Sequence, residues 1–205
     1  MNTRNASQLA ALVAILSALT TSACSDEPTE SPAGAGAGGG AANGKPPSSA
    51  GQGSDPFRAC SRAILEPDWR EDAPLVGPGV DPASGELEPG SYRIATTYLP
   101  VKPEKAAAVL ELSGPIIQTL QSSRGLVAVA TGQSASCAAF RTLTVWESEE
   151  DMLAFVLSPA HVRAMAETSA ISRGSTATIS WQGSAADGSW ERAVERLLGA
   201  QDTEL

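Results

Sequence analysis

With 205 residues, a formal net charge of −9 and 42% hydrophobic content, the chain has the composition of a soluble globular protein. Its fourteen Lys and Arg residues are scattered with no run of three, which excludes the clustered basic face that a nucleic-acid backbone requires. One histidine and three cysteines, none at ligand spacing to another, leave no metal site to expect, and no cofactor motif is present.

The chain opens on a targeting pattern. Arg4 supplies a positive start, Leu9 to Thr20 is an apolar run of twelve, and the small residues Thr21, Ser22 and Ala23 precede Cys24. Twelve helical residues reach only about 18 Å, too short to span a bilayer, so residues 1–23 read as a cleaved peptide. The arrangement resembles a bacterial lipoprotein signal, although Thr21 stands where that pattern prefers Leu. The resemblance implies acylation of Cys24 and a membrane partner through that lipid, with the cell envelope as location and plain secretion as the alternative. Ser25 differs from the Asp that retains some lipoproteins in the inner membrane, which favours the outer membrane or cell surface.

Residues 24–54 are nearly all Gly, Ala, Pro, Ser and charged residues, which bury too little apolar surface to offset the entropy of ordering. They read as a disordered tether with a reach of roughly 30 Å. Residues 55–90 have Pro or Gly every few positions and read as an irregular strap lying on the domain, with Phe57, Ile64, Leu65 and Trp69 as anchors. With Cys24 lipidated, Cys60 and Cys137 remain as a pair in an oxidising compartment. They either bridge the strap to a central strand or stay as two buried thiols.

The domain proper is expected over residues 91–205. SYRIATTYL from Ser91 is a strand, and a helix follows from Pro103 with Val109, Leu112, Ile116 and Leu120 on one face. Gly114-Pro115 should kink it. Leu126 to Gly132 and Ala138 to Trp146 are two antiparallel strands joined by a turn. In the second, Phe140, Thr142, Thr144 and Trp146 share one face, and Arg141 stands in the apolar row of the other. Ser148 caps a helix that Ser158-Pro159 breaks in two. Ser175 to Trp181 is a fourth strand. Trp190, Ala193, Val194, Leu197 and Leu198 pattern a final helix, which should lie across the domain or enter a dimer contact.

The order is α+β, a ferredoxin-like β-α-β-β-α-β chain with an antiparallel four-stranded sheet and an added C-terminal helix. Both helices would cover one sheet face, and a second copy of the sheet is the expected cover of the other.

Ser123-Arg124-Gly125-Leu126, Leu143 to Ser148, Ala154-Phe155 and Ser158-Pro159-Ala160-His161 together resemble the dimeric α+β barrel proteins, in particular the antibiotic-biosynthesis-monooxygenase-like (ABM) branch. The resemblance covers about ninety residues. It implies a homodimer whose two sheets form a barrel, with a pocket in each subunit between sheet and helices. Activities in the family include cofactor-free oxygenation of phenols and haem degradation. Haem degraders place Asn, Trp and His where this chain has Thr97, Phe155 and Met165, so that mode of haem degradation is not expected here.

Candidate site residues follow. His161, the sole histidine, is the only available base of its kind, or else it caps and packs at the helix break. Trp146, Phe155 and Trp181 line an apolar cavity, or are plain core. Arg141 meets an anionic ligand, snorkels at a sheet edge, or pairs with a Glu across the dimer. Two functions from different classes are carried. One is an envelope lipoprotein whose dimeric barrel binds a small apolar ligand or a protein partner, and the other is a cofactor-free monooxygenase acting on an aromatic substrate. No GxSxG, HExxH or CxxC motif is present, which disfavours a hydrolase or zinc enzyme.

Overall fold

The computed structural model describes residues 55–174 and 176–201. The leader, Cys24 and the tether lie outside them. In chain order the elements are β1 (Arg70–Val76), β2 (Ser91–Pro100), α1 (Ala106–Ser122), β3 (Leu126–Ser134), β4 (Ala139–Trp146), α2 (Glu149–Val156), α3 (Pro159–Ile171), β5 (Ala177–Ser184) and α4 (Trp190–Gln201). Short 3₁₀ turns at Pro103–Lys105 and Ala185–Asp187 lead into α1 and α4.

All strand pairs are antiparallel, in the order β1-β3-β4-β2-β5. β2 to β5 are the four strands of the ferredoxin-like unit, with β4 and β2 central. β1 is a fifth strand, drawn from residues 55–90, which were expected to form an ordered strap with no strand in it. Pro74 hides it in the sequence. Pro cannot donate to a ladder and so belongs on an edge, and the β1–β3 register shifts on either side of Ala73 to accommodate it.

Local chemistry sets the helix ends. Ser148 Oγ accepts the Asp151 N–H, and three acidic residues fill the first turn of α2. At the expected break, Ser158 Oγ accepts the His161 N–H at 3.4 Å and Pro159 takes the first helical position of α3. α1 runs as one helix through Pro115. Gly125 ends the turn into β3 with φ +68°, and a Cβ there would lie 2.5 Å from the Asp151 carboxylate, which Arg124 Nε reaches at 2.7 Å.

The two faces of the sheet are covered differently. On one, Trp146, Met152, Phe155, Leu120, Leu126 and Val129 form a core beneath α1 and α2, while Val101, Val109 and Ile171 form a second beneath α1 and α3. On the other, Ile94, Leu143, Val145, Trp181, Trp190 and Ala193 pack together, so the strap and α4 supply the cover within the same chain. A second copy is therefore not what buries this face. No helix among the described residues is long and apolar enough to cross a membrane.

The strap is held at several points. Cys60 is bridged to Cys137, with Cα atoms 5.6 Å apart. Cys137 lies in the turn between β3 and β4, rather than in the central strand as expected. Asp68 accepts hydrogen bonds from Ser134 Oγ and from the N–H and Oγ of Ser136 in the same hairpin. Trp69 lies against Gly132, where a Cβ would come within 2.3 Å of the indole, and meets Trp190 edge-on at 5.0 Å. Arg173 stacks over Phe57 at 3.7 Å.

Candidate functional site

The side chains facing the helices are set by register between strands far apart in sequence. Thr131 of β3 pairs with Thr142 of β4, Thr142 with Thr97 of β2, and Thr97 with Thr178 of β5. Directly paired residues point to the same side, so four hydroxyls form one row across four strands. Thr97 and Thr178 hydrogen-bond at 3.0 Å, and Thr131 Oγ1 is buried with no partner among the described residues. Thr142 is exposed although β4 is the middle strand. The helical layer therefore leaves a slot over the centre of the sheet.

Aromatic side chains pack further along the same face of the sheet. Trp146 is completely buried and stacks on Phe155, ring centroids 5.3 Å apart at 29°. Phe155 in turn meets His161 edge-on at 4.9 Å. Trp146 Nε1 and His161 Nδ1 are buried without hydrogen-bond partners among the described residues. An orphaned buried donor or acceptor costs about 1–3 kcal/mol unless something satisfies it. Burial holds the His161 imidazole below its ordinary pKa, opposed by a hydrogen bond to the Val156 carbonyl, and so favours the neutral ring.

On α3 the half-buried positions His161, Ala164 and Thr168 recur at helical spacing and lead to buried Ile171. Thr168 also lines a cleft of about 560 Å³ at the far end of α3, with Met165, Ser172 and Thr176. Arg93, the neighbour of Trp146 on β2, donates to Ser180 Oγ at 2.9 Å and to Glu149 at 3.3 Å, leaving its buried Nε without a partner.

Of the residues singled out in the sequence, Trp146, Phe155 and His161 come together. Trp181 does not join them. It lies on the opposite face, buried against Ile94, Trp190 and Ala193, with the Arg196 guanidinium 5.9 Å from its ring. The three aromatics therefore line no common cavity.

Arg141 is also on that opposite face, only 2% exposed. Its guanidinium donates to the carbonyls of Ser61, Arg62 and Ile64 and to Glu66, and it lies 4.5 Å from the Tyr98 ring. All are groups of its own chain, so it clasps the strap rather than an anion or a partner's Glu. No three His, Cys, Asp or Glu side chains among the described residues are placed to hold a metal ion.

Residues 93–167 match the family described as antibiotic biosynthesis monooxygenase. This segment belongs to that family. No curated protein matches the chain. Among solved structures, the ABM domain is similar to a protein of unknown function from Nitrosomonas europaea at 13% identity, over 45% of this chain and 89% of that one, with a TM-score of 0.40. A Mycobacterium tuberculosis protein gives 14% identity, 45% and 93% coverage and a TM-score of 0.40. An antibiotic biosynthesis monooxygenase gives 13% identity, 44% and 97% coverage and a TM-score of 0.41.

The threonine row, three of whose members lie in the matched segment and the fourth, Thr178, beyond it, is what sequence reasoning missed. Each threonine alternates correctly within its own strand, yet nothing local says that the four stand in one row. Arg93 was missed for the same reason, since its neighbours Trp146, Ser180 and Glu149 are all more than fifty residues away.

Proposed function

We propose that this protein is a ligand-binding module of the cell envelope, tethered through acyl chains on Cys24, whose ABM domain takes a small oxygen-bearing aromatic molecule into the slot between sheet and helices. The observation that carries the reading is Thr142, exposed in the middle strand and flanked in register by Thr131 and Thr97. A slot with hydroxyls along one wall and Trp146, Phe155 and His161 further along the same face suits an aromatic ring with hydroxyl or carbonyl substituents, a more polar ligand than the apolar one expected from the aromatic residues alone. If two copies pair, they do so outside the face that the strap and α4 occupy.

A second reading is kept because of His161. Its neutral imidazole, held at Val156 and with Nδ1 unpartnered among the described residues, is the form a general base needs to deprotonate a phenol, as cofactor-free oxygenation requires. One experiment separates the two. The full chain with Cys24→Ser is titrated with a panel of polyphenols while binding and oxygen uptake are both followed, in parent, Thr142→Phe and His161→Ala. Saturable binding abolished by Thr142→Phe, without oxygen uptake, supports the binding module. Uptake lost in His161→Ala supports the oxygenase. Absence of binding in the parent, or binding unchanged by Thr142→Phe, overturns the slot. Loss of acyl labelling in Cys24→Ser, set against the parent, tests the anchor.

A further inference from the structure

On the face of the sheet opposite the threonine row, the strap and α4 do not close fully over the strands. A cleft of about 620 Å³ remains, floored by Ala130 of β3 and Leu143 of β4 and walled by Leu87 and Trp190. Around it stand three carboxylates, Glu71, Glu86 and Glu191, and no Lys or Arg lines it. The wall and the carboxylates all lie outside residues 93–167, so parts of this chain that the family match does not cover turn a stretch of its sheet into a cleft.

We propose that this cleft binds an organic ammonium carrying an apolar body. Its volume is that of a small-molecule site, with apolar surface from Ala130, Leu143, Leu87 and Trp190 and about as much polar surface around it. The small residues Gly85, Ala185 and Gly188 keep it open. Glu71 accepts a hydrogen bond from Trp190 Nε1, which fixes one carboxylate at the lip between β1 and α4 and orients the indole whose ring attracts a cation. The positive N-terminal end of α4 also borders the cleft, and Glu191 in its first turn offsets it.

The carboxylates ring the cleft rather than converge, since no three acidic side chains among the described residues are placed to hold a metal ion. A bulkier cation that spreads its charge fits this arrangement, whereas an anion would meet like charge on three sides. The net charge of −9 raises the local concentration of any such cation.

The test uses the full chain with Cys24→Ser and three probes of equal shape, 4-phenylbutylammonium, 4-phenylbutanol and 4-phenylbutanoate. Binding is followed by calorimetry and tryptophan fluorescence. The ammonium is expected to bind about tenfold or more tighter than the alcohol, with the carboxylate weakest of all. The double variant Glu86→Gln with Glu191→Gln changes two exposed side chains. It should cut the ammonium's preference over the alcohol severalfold, with Glu71 and Trp190 still in place, and leave the melting temperature unchanged. An ammonium preference below about tenfold in the parent, or one undiminished in the double variant, overturns the proposal. Thr142→Phe, on the other face, should leave ammonium binding unchanged. Failure here is thereby distinguished from failure of the slot.

Discussion

Arg141 and Glu66 form an ion pair at 3.2 Å with both side chains only 1% exposed, which joins the middle strand of the sheet to the strap. Three strap carbonyls also accept from the two terminal nitrogens of the guanidinium, and Tyr98 lies beneath it, while Arg141 Nε has no partner among the described residues. Removing one partner of such a pair leaves an uncompensated buried charge. Glu66→Ala should therefore destabilise the domain by about 3–5 kcal/mol, measured by urea denaturation. Replacing both with Leu should recover part of that loss, because the desolvation cost disappears with the charges while the three strap carbonyls lose their donor. Equal losses in the single and double variants would refute this account of the clasp.

The Cys60–Cys137 bridge closes a loop with a sequence separation of 77. Cross-linking a loop of that size restricts the unfolded chain by about 4 kcal/mol in the chain-entropy model. Cys60→Ser with Cys137→Ser should lower stability by that order. It should also make residues near Phe57 and Ile64 the first sites cut by a low dose of protease. A double variant with the parent's urea midpoint would show that the bridge adds nothing beyond the other strap contacts.

His161 should give the fold a pH dependence in the mildly acidic range. Burial holds its folded pKa below 6.5, so the unfolded chain takes up a proton first as pH falls. Stability should be flat with respect to this group above 6.5 and decline as pH drops through 6.5 toward the folded value. His161→Gln should remove that slope, as read from urea midpoints across pH 7 to 5 in both proteins. A slope common to both would assign it elsewhere.

Asp68 behaves with the opposite origin and at lower pH. Hydrogen bonds from Ser134 and from the Ser136 amide and hydroxyl hold its carboxyl down to about 2, against 3.8 unperturbed. Its contribution is present above 3.8 and is lost as pH falls through the interval to about 2. The Ser136 amide resonance in a heteronuclear NMR titration should therefore shift with a midpoint near 2. A midpoint near 3.8 would mean that the strap is not tied to the hairpin in solution.

How much of this was legible in the chain depends on range. The capped helix starts at Ser148 and Ser158 were readable because the cap and the amide it accepts from are three residues apart. The strand β1 was not, since Pro74 and Asp72 break its alternation and only pairing with Gly132 and Thr131 makes it a strand. Arg141 was recognised as out of place in an apolar row. Its partners lie some 75–80 residues away in the strap, so its role was open between three readings until those residues were placed.

The sequence by itself determined the ferredoxin-like order of elements and the helix caps, because these follow from periodicity and from the short spacing of cap and amide, while the bridge between Cys60 and Cys137 stayed open until the structure placed them 5.6 Å apart. Only the tertiary structure decided which face the strap and α4 cover, that Trp181 is separated from Trp146 by the sheet, and that four threonines from four strands stand in one row. A slip of one residue in any strand would reverse its faces and dissolve that row. The burial of Trp146, Leu143 and Val145 holds the register, and that burial exists only once the layers have assembled.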